Sequence, residues 1–456
     1  MAAAASKTSG WDTVRLQFFL GILTALGGLV APNRLFVPWL SRWDAARSTL
    51  GFLGELREKY RADHLWVWFP FGRTLLVLNR ESMDALLASD KNAADPAIKK
   101  FPLSRFVPDA LVISSGDEWL DRRPFNESAL GFGKLHGHGD AFAEIISREV
   151  DRLYAGPGRQ WSWRDFQTLG ERISHQVLLG AGEIHHGLSE DLARMVGCGN
   201  WFYRPRRSFS AFYGALERDL ARHRALLRSP GGGGRPEEER VPADCLMHDS
   251  AALLEGGRAS PLTQVPSQIG FWLFVLKDAV ELHVARTLAL IAVHPEAQER
   301  VRAEIRNASP LTAKAIDGLS FLEACLREQL RLWTPVPMLL RRAVEPFSLP
   351  GGIRVEAGQQ ILIHAGFYHR DARVFGAMAD RFSPEAAEKG MAPVYVFSDG
   401  RQSCAGQFLA RFVLKATLAS MLARSRVELV GPALEPGRIP CSYDHFKTVL
   451  RPVAPG

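Results

Sequence analysis

Between Phe397 and Gly406 the chain runs Phe-Ser-Asp-Gly-Arg-Gln-Ser-Cys-Ala-Gly and then enters an apolar stretch, Gln407 to Leu422. One cysteine, Cys404, is thereby fixed in a loop punctuated by Gly400 and Gly406, just ahead of a helix start. Glycine permits close backbone approach, and the free N–H groups of a helix N-terminus favour a thiolate over a thiol. The arrangement suits a thiolate bound to a metal, with Phe397 placed to pack beside the ring that carries it. A buried structural cysteine on a glycine-rich turn is the competing reading.

The rest of the chain limits the choice. At 456 residues and 46% apolar content it can bury a large core, and no low-complexity linker or internal repeat divides it. The glycine-rich stretch from Ser229 to Arg240 reads as a surface loop between helices. Cys198, Cys245, Cys325, Cys404 and Cys441 are scattered without CxxC spacing, which argues against a zinc site or a disulfide framework and for a reducing, cytoplasmic setting. The net charge of +7 is dispersed. Its one dense cluster, Arg204-Pro205-Arg206-Arg207, reads as a solvated or membrane-facing surface, and no nucleic-acid partner is expected.

Leu16 to Asn33 carries no charge and includes Phe18, Phe19, Leu20, Ile22, Leu23 and Leu26. Its length lies at the lower edge of a bilayer span, and the tryptophans and arginines after it, Arg34, Trp39, Arg42 and Trp43, suit a membrane interface. Two readings stand side by side: membrane association through residues 16–43, and a helix packed on its own domain. The division expected is an apolar or interfacial segment over 1–43 and a catalytic domain over 44–456.

Phe321 to Trp333 is predicted as a helix, with Leu322, Leu326 and Leu330 on one face and Pro335 ending it. Glu328 and Arg331, three apart, share a face. Phe347–Val355 and Gln360–His364 read as short strands joined by turns, and Gln268–Val293 as one helix about 39 Å long.

These motifs together resemble the cytochrome P-450 family, the haem-thiolate oxygenases, from about Gly54 to the C-terminus. The family's Phe-x-x-Gly-x-x-x-Cys-x-Gly falls on Phe397, Gly400, Cys404 and Gly406. Its Glu-x-x-Arg falls on Glu328 and Arg331, 73 positions before the cysteine. The resemblance implies a mainly α fold with a small β-rich region, a bacterial-type chain with an extra apolar N-terminal segment, and one haem b. Cys404 would be its axial thiolate. It further implies a buried lock of Glu328, Arg331 and Arg381, and haem-propionate contacts from Arg341 and from Trp119 and Arg123. Arg122 and Arg342 are alternatives for those contacts. Where the family usually has Arg or His two residues before the cysteine, this chain has Gln402, with Arg401 beside it.

The long helix departs from the family in a chemical way. Its oxygen-handling motif falls on Val275-Leu276-Lys277-Asp278-Ala279, so the acid is kept as Asp278 but the alcohol is Ala279 and the glycine Leu276. Cleaving an O–O bond consumes protons that a hydroxyl normally relays, and a methyl group cannot relay them. Three outcomes are open: a monooxygenase using dioxygen with water or substrate hydroxyl in place of the alcohol, a peroxide-dependent peroxygenase, or an isomerase or dehydratase that uses no dioxygen. The leading expectation is the monooxygenase, acting as a monomer on a lipophilic small molecule with electrons from a ferredoxin and its reductase or a similar donor. Arg401, Arg411 and Lys415 are candidates to face that donor. An apolar substrate pocket is expected near 101–107 and 201–203, with Lys277 as a candidate contact for an acidic substrate.

Overall fold

The computed structural model describes residues 5–89, 101–156, 160–180, 186–228 and 243–453. The expected glycine-rich loop from Ser229 to Arg240 lies outside them. The chain forms two units, the first built from 1–101, 324–404 and 433–446, the second from 102–323, 405–432 and 447–456. Described residues 5–43 fall in the first unit together with 324–404.

In the first unit, side-chain alternation sets a five-stranded mixed sheet. Its order is Ser6–Lys7, His64–Phe69, Gly72–Val77, Gln360–Ile363, Leu339–Arg342. Successive strand residues point to opposite faces. Trp66, Leu75, Val77, Ile361 and Ile363 thus enter one core with Met83, Leu86 and Tyr368. Leu65, Val67, Leu76 and Leu362 enter another with Phe52, Leu53 and Leu56. A sheet buried on both faces needs such near-continuous apolar strands. Ala45–Tyr60 covers the second face, where Leu16 and Leu20 join it. Those two come from Gly10–Leu16 and the π-helical turn Gln17–Ile22, which continues into Leu23–Gly27. Ser9 caps this run, and buried Asp12 receives hydrogen bonds from Lys59 Nζ at 2.7 Å and Tyr60 Oη at 2.6 Å. No helix among the described residues is long and apolar enough to cross a membrane. Of the two readings of 16–33, packing on the domain is what the fold displays.

Among its described residues, the strands of the second unit are the antiparallel pair Arg426–Gly431 and Val449–Val453, and its other elements are helices. Its long helix runs Val265–Ala279, passes through a π-helical turn at Val280–Val284 and continues over Ala285–Ala292. The sequence predicts the run but not the π turn, which depends on packing: helix Trp163–Leu179 crosses there at Gly170. A Cβ on Gly170 would lie 2.9 Å from the Lys277 carbonyl oxygen and 3.2 Å from the Glu281 nitrogen. Helix Gln407–Arg424, which follows Cys404 in the chain, buries nearly all of one long apolar run in this unit. Its Lys415 is buried, donating to Asp317 O at 2.7 Å, and Arg411 donates to Glu323 at 2.7 Å. Buried within this unit, Lys415 is not presented to a partner, contrary to expectation, and Arg411 is already paired.

Candidate functional site

The thiolate loop is held from three directions within the first unit. Cys404 is exposed, and its N–H donates to the Phe397 carbonyl at 2.8 Å, closing the loop at its base. Asp399 caps the short 3-10 turn Gly400–Gln402 by accepting the Gly400 N–H at 2.7 Å. Gly400 sits at φ +62°, and a Cβ there would fall 1.9 Å from the Leu87 carbonyl oxygen, so no side chain fits. Gly406 is different: φ is −93°, and its nearest neighbour would be Leu130 at 3.6 Å. The close approach expected of both glycines is therefore required by protein atoms only at Gly400. From the sheet, buried Arg341 donates to Ser398 Oγ and to Leu340 O, both at 2.9 Å. Upstream, the Tyr395 hydroxyl donates to Asp84 and its N–H to His369 Nε2 at 3.0 Å. Burial, then the nearby Arg331 charge, pushes the His369 imidazole down to about 3, so the ring stays neutral.

Beneath this loop's chain lie Glu328 and Arg331 on the helix Ser320–Leu332, both fully buried. Arg331 forks onto Glu328 at 2.7 and 2.8 Å. Its remaining N–H groups donate to the carbonyls of His369 at 2.7 Å, Ala379 at 3.1 Å, Met378 at 3.0 Å and Arg381 at 2.9 Å. The Ser383 N–H returns 3.1 Å to Glu328. The expected third member, Arg381, takes part through its backbone oxygen, while its side chain is exposed. Main-chain carbonyls accept from the guanidinium N–H groups that Glu328 leaves over, so the clamp is completed by backbone oxygens and not by a second cation.

Among the expected cofactor contacts in the second unit, Arg122 and Arg123 are both buried and differently committed. Arg122 is spread over Ser114 Oγ at 2.7 Å, Leu262 O at 2.8 Å, Asp109 at 3.3 Å and Glu118 at 3.4 Å. Arg123 sends Nε to Glu127 at 2.7 Å and lies 6.0 Å from the Trp119 ring centroid and 5.2 Å from that of Phe132. Of the two alternatives, Arg122 is the one tied into the helix bundle. Arg401 and Arg342 are exposed. Within the segment 101–107, Phe106 is buried edge-on against Phe274 at 5.1 Å, while Trp201, Phe202 and Tyr203 are exposed.

On the long helix, Leu276 is buried and Ala279 half-buried at the last residue before the π turn. Lys277 Nζ lies 3.2 and 3.3 Å from the Glu281 oxygens and 3.9 Å from Asp278. One cation thus serves two carboxylates. Burial, then the Glu281 charge, raises the Asp278 carboxyl well above its ordinary range against the pull of Lys277. Four-residue spacing alone marks Lys277 and Glu281 as an ordinary helix pair. The signal that Glu281 also bears on Asp278 was available, because Asp278 and Glu281 stand three apart on one helix. Gly170 offered no such signal.

Among the described residues, no group of three or more His, Cys, Asp or Glu could hold a metal ion. A lone cysteine donor suits a metal that carries its other donors with it, as a macrocyclic iron does. The loop fits that role: it exposes one soft donor and holds its own backbone rigid. Gln402 keeps its amide oxygen buried without a hydrogen-bond partner among the described residues, and an oxygen there offers nothing to a propionate.

Comparison with known proteins agrees with this donor set. A family profile described as cytochrome P-450 matches residues 283–439, which include Glu328, Arg331 and Cys404. Cytochrome P-450 4d1 of Drosophila melanogaster is 32% identical over 436 residues, covering 84% of this chain and 83% of that protein. Cytochrome P-450 4X1 of Rattus norvegicus is 32% identical over 197 residues, and cytochrome P-450 714C3 of Oryza sativa subsp. japonica 36% over 148. The last two matches span only 37% and 29% of those relatives. The Cys404 loop, the Glu–Arg clamp and a relative 32% identical over 84% of this chain lead to one conclusion: the chain belongs to the cytochrome P-450 family.

Proposed function

We propose that the protein is a haem-thiolate monooxygenase that uses dioxygen, acts on a lipophilic small molecule and takes electrons from a ferredoxin-type or similar donor. The observation that carries the reading is Cys404, exposed on a loop with no freedom at Gly400 and tied to the sheet by Arg341. Cys404 would hold the iron of a haem b through its sulfur, with Phe397, Arg341, Arg123, Trp119 and Arg401 as candidates to hold the rest of the group. Gly406 would leave the far end of the loop unobstructed. When bound, such a group supplies oxygen activation, and thiolate donation favours O–O cleavage.

The chain's own contribution is to hold the sulfur and manage protons. Gly400, Ser398 and the Phe397 carbonyl fix the Cys404 backbone, so the thiolate needs no reorganisation to donate. Asp278, raised by burial and by Glu281, can keep a proton at a pH where an ordinary carboxyl has lost it. Lys277 opposes that rise and lies 3.2 and 3.3 Å from the Glu281 oxygens. Ala279 has no hydroxyl with which to order a relaying water. That last observation favours a second reading, a peroxide-dependent peroxygenase or a haem-thiolate isomerase or dehydratase, since peroxide brings its own protons.

The first test is spectroscopic. Purified protein, reduced and exposed to carbon monoxide, should give the red-shifted Soret band of a thiolate-ligated haem, and Cys404→Ala should lose it. Turnover of a lipophilic candidate with reductase and dioxygen, compared with hydrogen peroxide and with a substrate hydroperoxide, separates the two readings. Product from peroxide or hydroperoxide alone would reject the dioxygen-using monooxygenase.

A further inference from the structure

Tyr395 stands two residues before Phe397, at the entry to the Cys404 loop. Its carbonyl accepts the Ser398 N–H at 3.2 Å, and the Phe397 carbonyl accepts the Cys404 N–H at 2.8 Å. Hydrogen bonds as well as the chain itself therefore join Tyr395 to the backbone that carries the sulfur. The Tyr395 ring is buried in the first unit beside Met83, Leu86 and Tyr368, and its N–H donates to His369 Nε2 at 3.0 Å. Its hydroxyl donates to Asp84 Oδ1. Asp84 is half-exposed, and its other oxygen accepts from Arg80 Nε at 3.2 Å. One end of this contact is dry and the other is wet.

Tyr368 makes the contrast. The two ring centroids are 5.3 Å apart and Tyr368 is fully buried, yet its hydroxyl has no hydrogen-bond partner among the described residues. Taking one electron from a phenol turns its O–H into a strong acid, so a tyrosine is readily oxidised only where a base takes the proton. Tyr395 has that base and Tyr368 lacks it. Burial, then the Asp84 hydrogen bond, raises the Tyr395 phenol above its ordinary range, so the resting side chain is not a phenolate. Tyr60 also donates to a carboxylate, Asp12, at 2.6 Å, but neither residue lies in the Cys404 loop.

We infer that Tyr395 is a redox-active tyrosine, with Asp84 as its proton acceptor, that discharges the centre at Cys404 when peroxide oxidises it with no substrate bound. Tyr395 gives one electron to that centre, its O–H bond breaks, and the proton passes to Asp84 Oδ1. The products are a neutral tyrosyl radical, a protonated Asp84 and a haem centre reduced by one electron. A soluble one-electron reductant, ascorbate for example, then supplies an electron to the radical, and the proton returns from Asp84 to the phenol oxygen. Tyr368, although adjacent, stays reduced because nothing takes its proton.

The inference rests on the haem-thiolate reading, and one preparation tests the two apart. The carbon monoxide band reports the haem, and its absence from the parent would overturn both. With the band present, substrate-free ferric protein is mixed with an aromatic peracid and freeze-quenched. Electron paramagnetic resonance should then show a tyrosyl radical whose line narrows when the protein is made with ring-deuterated tyrosine. Tyr395→Phe should lose that signal and bleach its haem faster, whereas Tyr368→Phe should keep it. Asp84→Asn, whose amide accepts a hydrogen bond but not a proton, should form the radical more slowly with its carbon monoxide band unchanged. That variant carries the test if Tyr395→Phe does not fold. A parent with the carbon monoxide band but no tyrosyl signal would overturn this inference and leave the haem reading standing. So would a signal that survives in Tyr395→Phe, or a rate that Asp84→Asn leaves unchanged.

Discussion

Two clusters of charge in this molecule follow opposite designs. At Glu328 and Arg331 one anion meets one cation, both are fully buried, and backbone carbonyls take up the spare guanidinium donors. At Lys277, Asp278 and Glu281 two anions share one cation beside a π-helical turn, and one carboxyl is pushed toward keeping its proton. A balanced, fully bonded pair has a single low-energy arrangement and so works as a fastener. An unbalanced trio favours the protonated form of one carboxyl over its ordinary ionised form, which is the property a proton donor needs.

Mutation should separate the two most sharply at the clamp. Glu328→Ala or Arg331→Ala leaves a buried charge without its partner and should cost about 3–5 kcal/mol in chemical denaturation. Arg331→Lys should recover little of that, since an ammonium cannot reach Glu328 and four separate carbonyls at once. If either alanine variant unfolds at the parent midpoint, the clamp is not a fastener.

A smaller effect is expected in the loop that the clamp supports. Gly400→Ala must place a Cβ against the Leu87 carbonyl at a left-handed backbone position, at about 2–3 kcal/mol. Gly406→Ala, at φ −93° with its nearest neighbour at 3.6 Å, should change protein stability by less than about 1 kcal/mol. Any larger defect at 406 would then have to appear in cofactor retention, measured as haem content after gel filtration.

The clusters should also respond to pH with opposite signs. His369, beside the clamp, is depressed from an ordinary 6.5 to about 3, so the stability it contributes is present above 6.5 and fades as pH falls toward 3. Asp278 is raised, so its folded form holds a proton that the unfolded chain releases above 3.8, and its contribution turns unfavourable as pH rises. Hydrogen exchange between pH 7 and 4 should therefore show protection falling around His369. Asp278→Asn should stabilise the protein at neutral pH and have little effect at pH 3. Equal responses in both regions would remove the distinction drawn here.

The smallest expected change is within the trio. Glu281→Gln removes the charge that disfavours Asp278 ionisation, and the Asp278 carboxyl should titrate lower, read from its infrared carbonyl band. An unchanged band would mean that burial alone sets the shift.

Much of the thiolate side is legible in residue order, because its chemistry is local. A cysteine four residues after Gly400, and a Glu and an Arg one helical turn apart, keep their relation in any fold that forms that loop and that helix. Arg381 illustrates where this stops. Its position in the chain is informative, yet whether it contributes a guanidinium or a carbonyl depends on which atoms reach Arg331, and spacing carries no information about backbone oxygens. The N-terminus illustrates the same limit from the other side. Hydropathy marks 16–33 as apolar without saying which side meets the Phe52 and Leu56 core and which stays outside.

Residue order alone therefore carries the family resemblance, the candidate metal-binding sulfur, the helix carrying Glu328 and Arg331, and the presence of Ala279 where the resemblance implies an alcohol. These follow from side-chain chemistry and from contacts within one turn of chain. Three-dimensional packing alone decides that Gly400 is obligatory and Gly406 is not, that main chain completes the Arg331 clamp, and that Lys415 is buried. It also decides that Gly170 meets the long helix at its π turn. Each of these depends on atoms brought together from distant parts of the chain, where burial removes the water that would otherwise satisfy them.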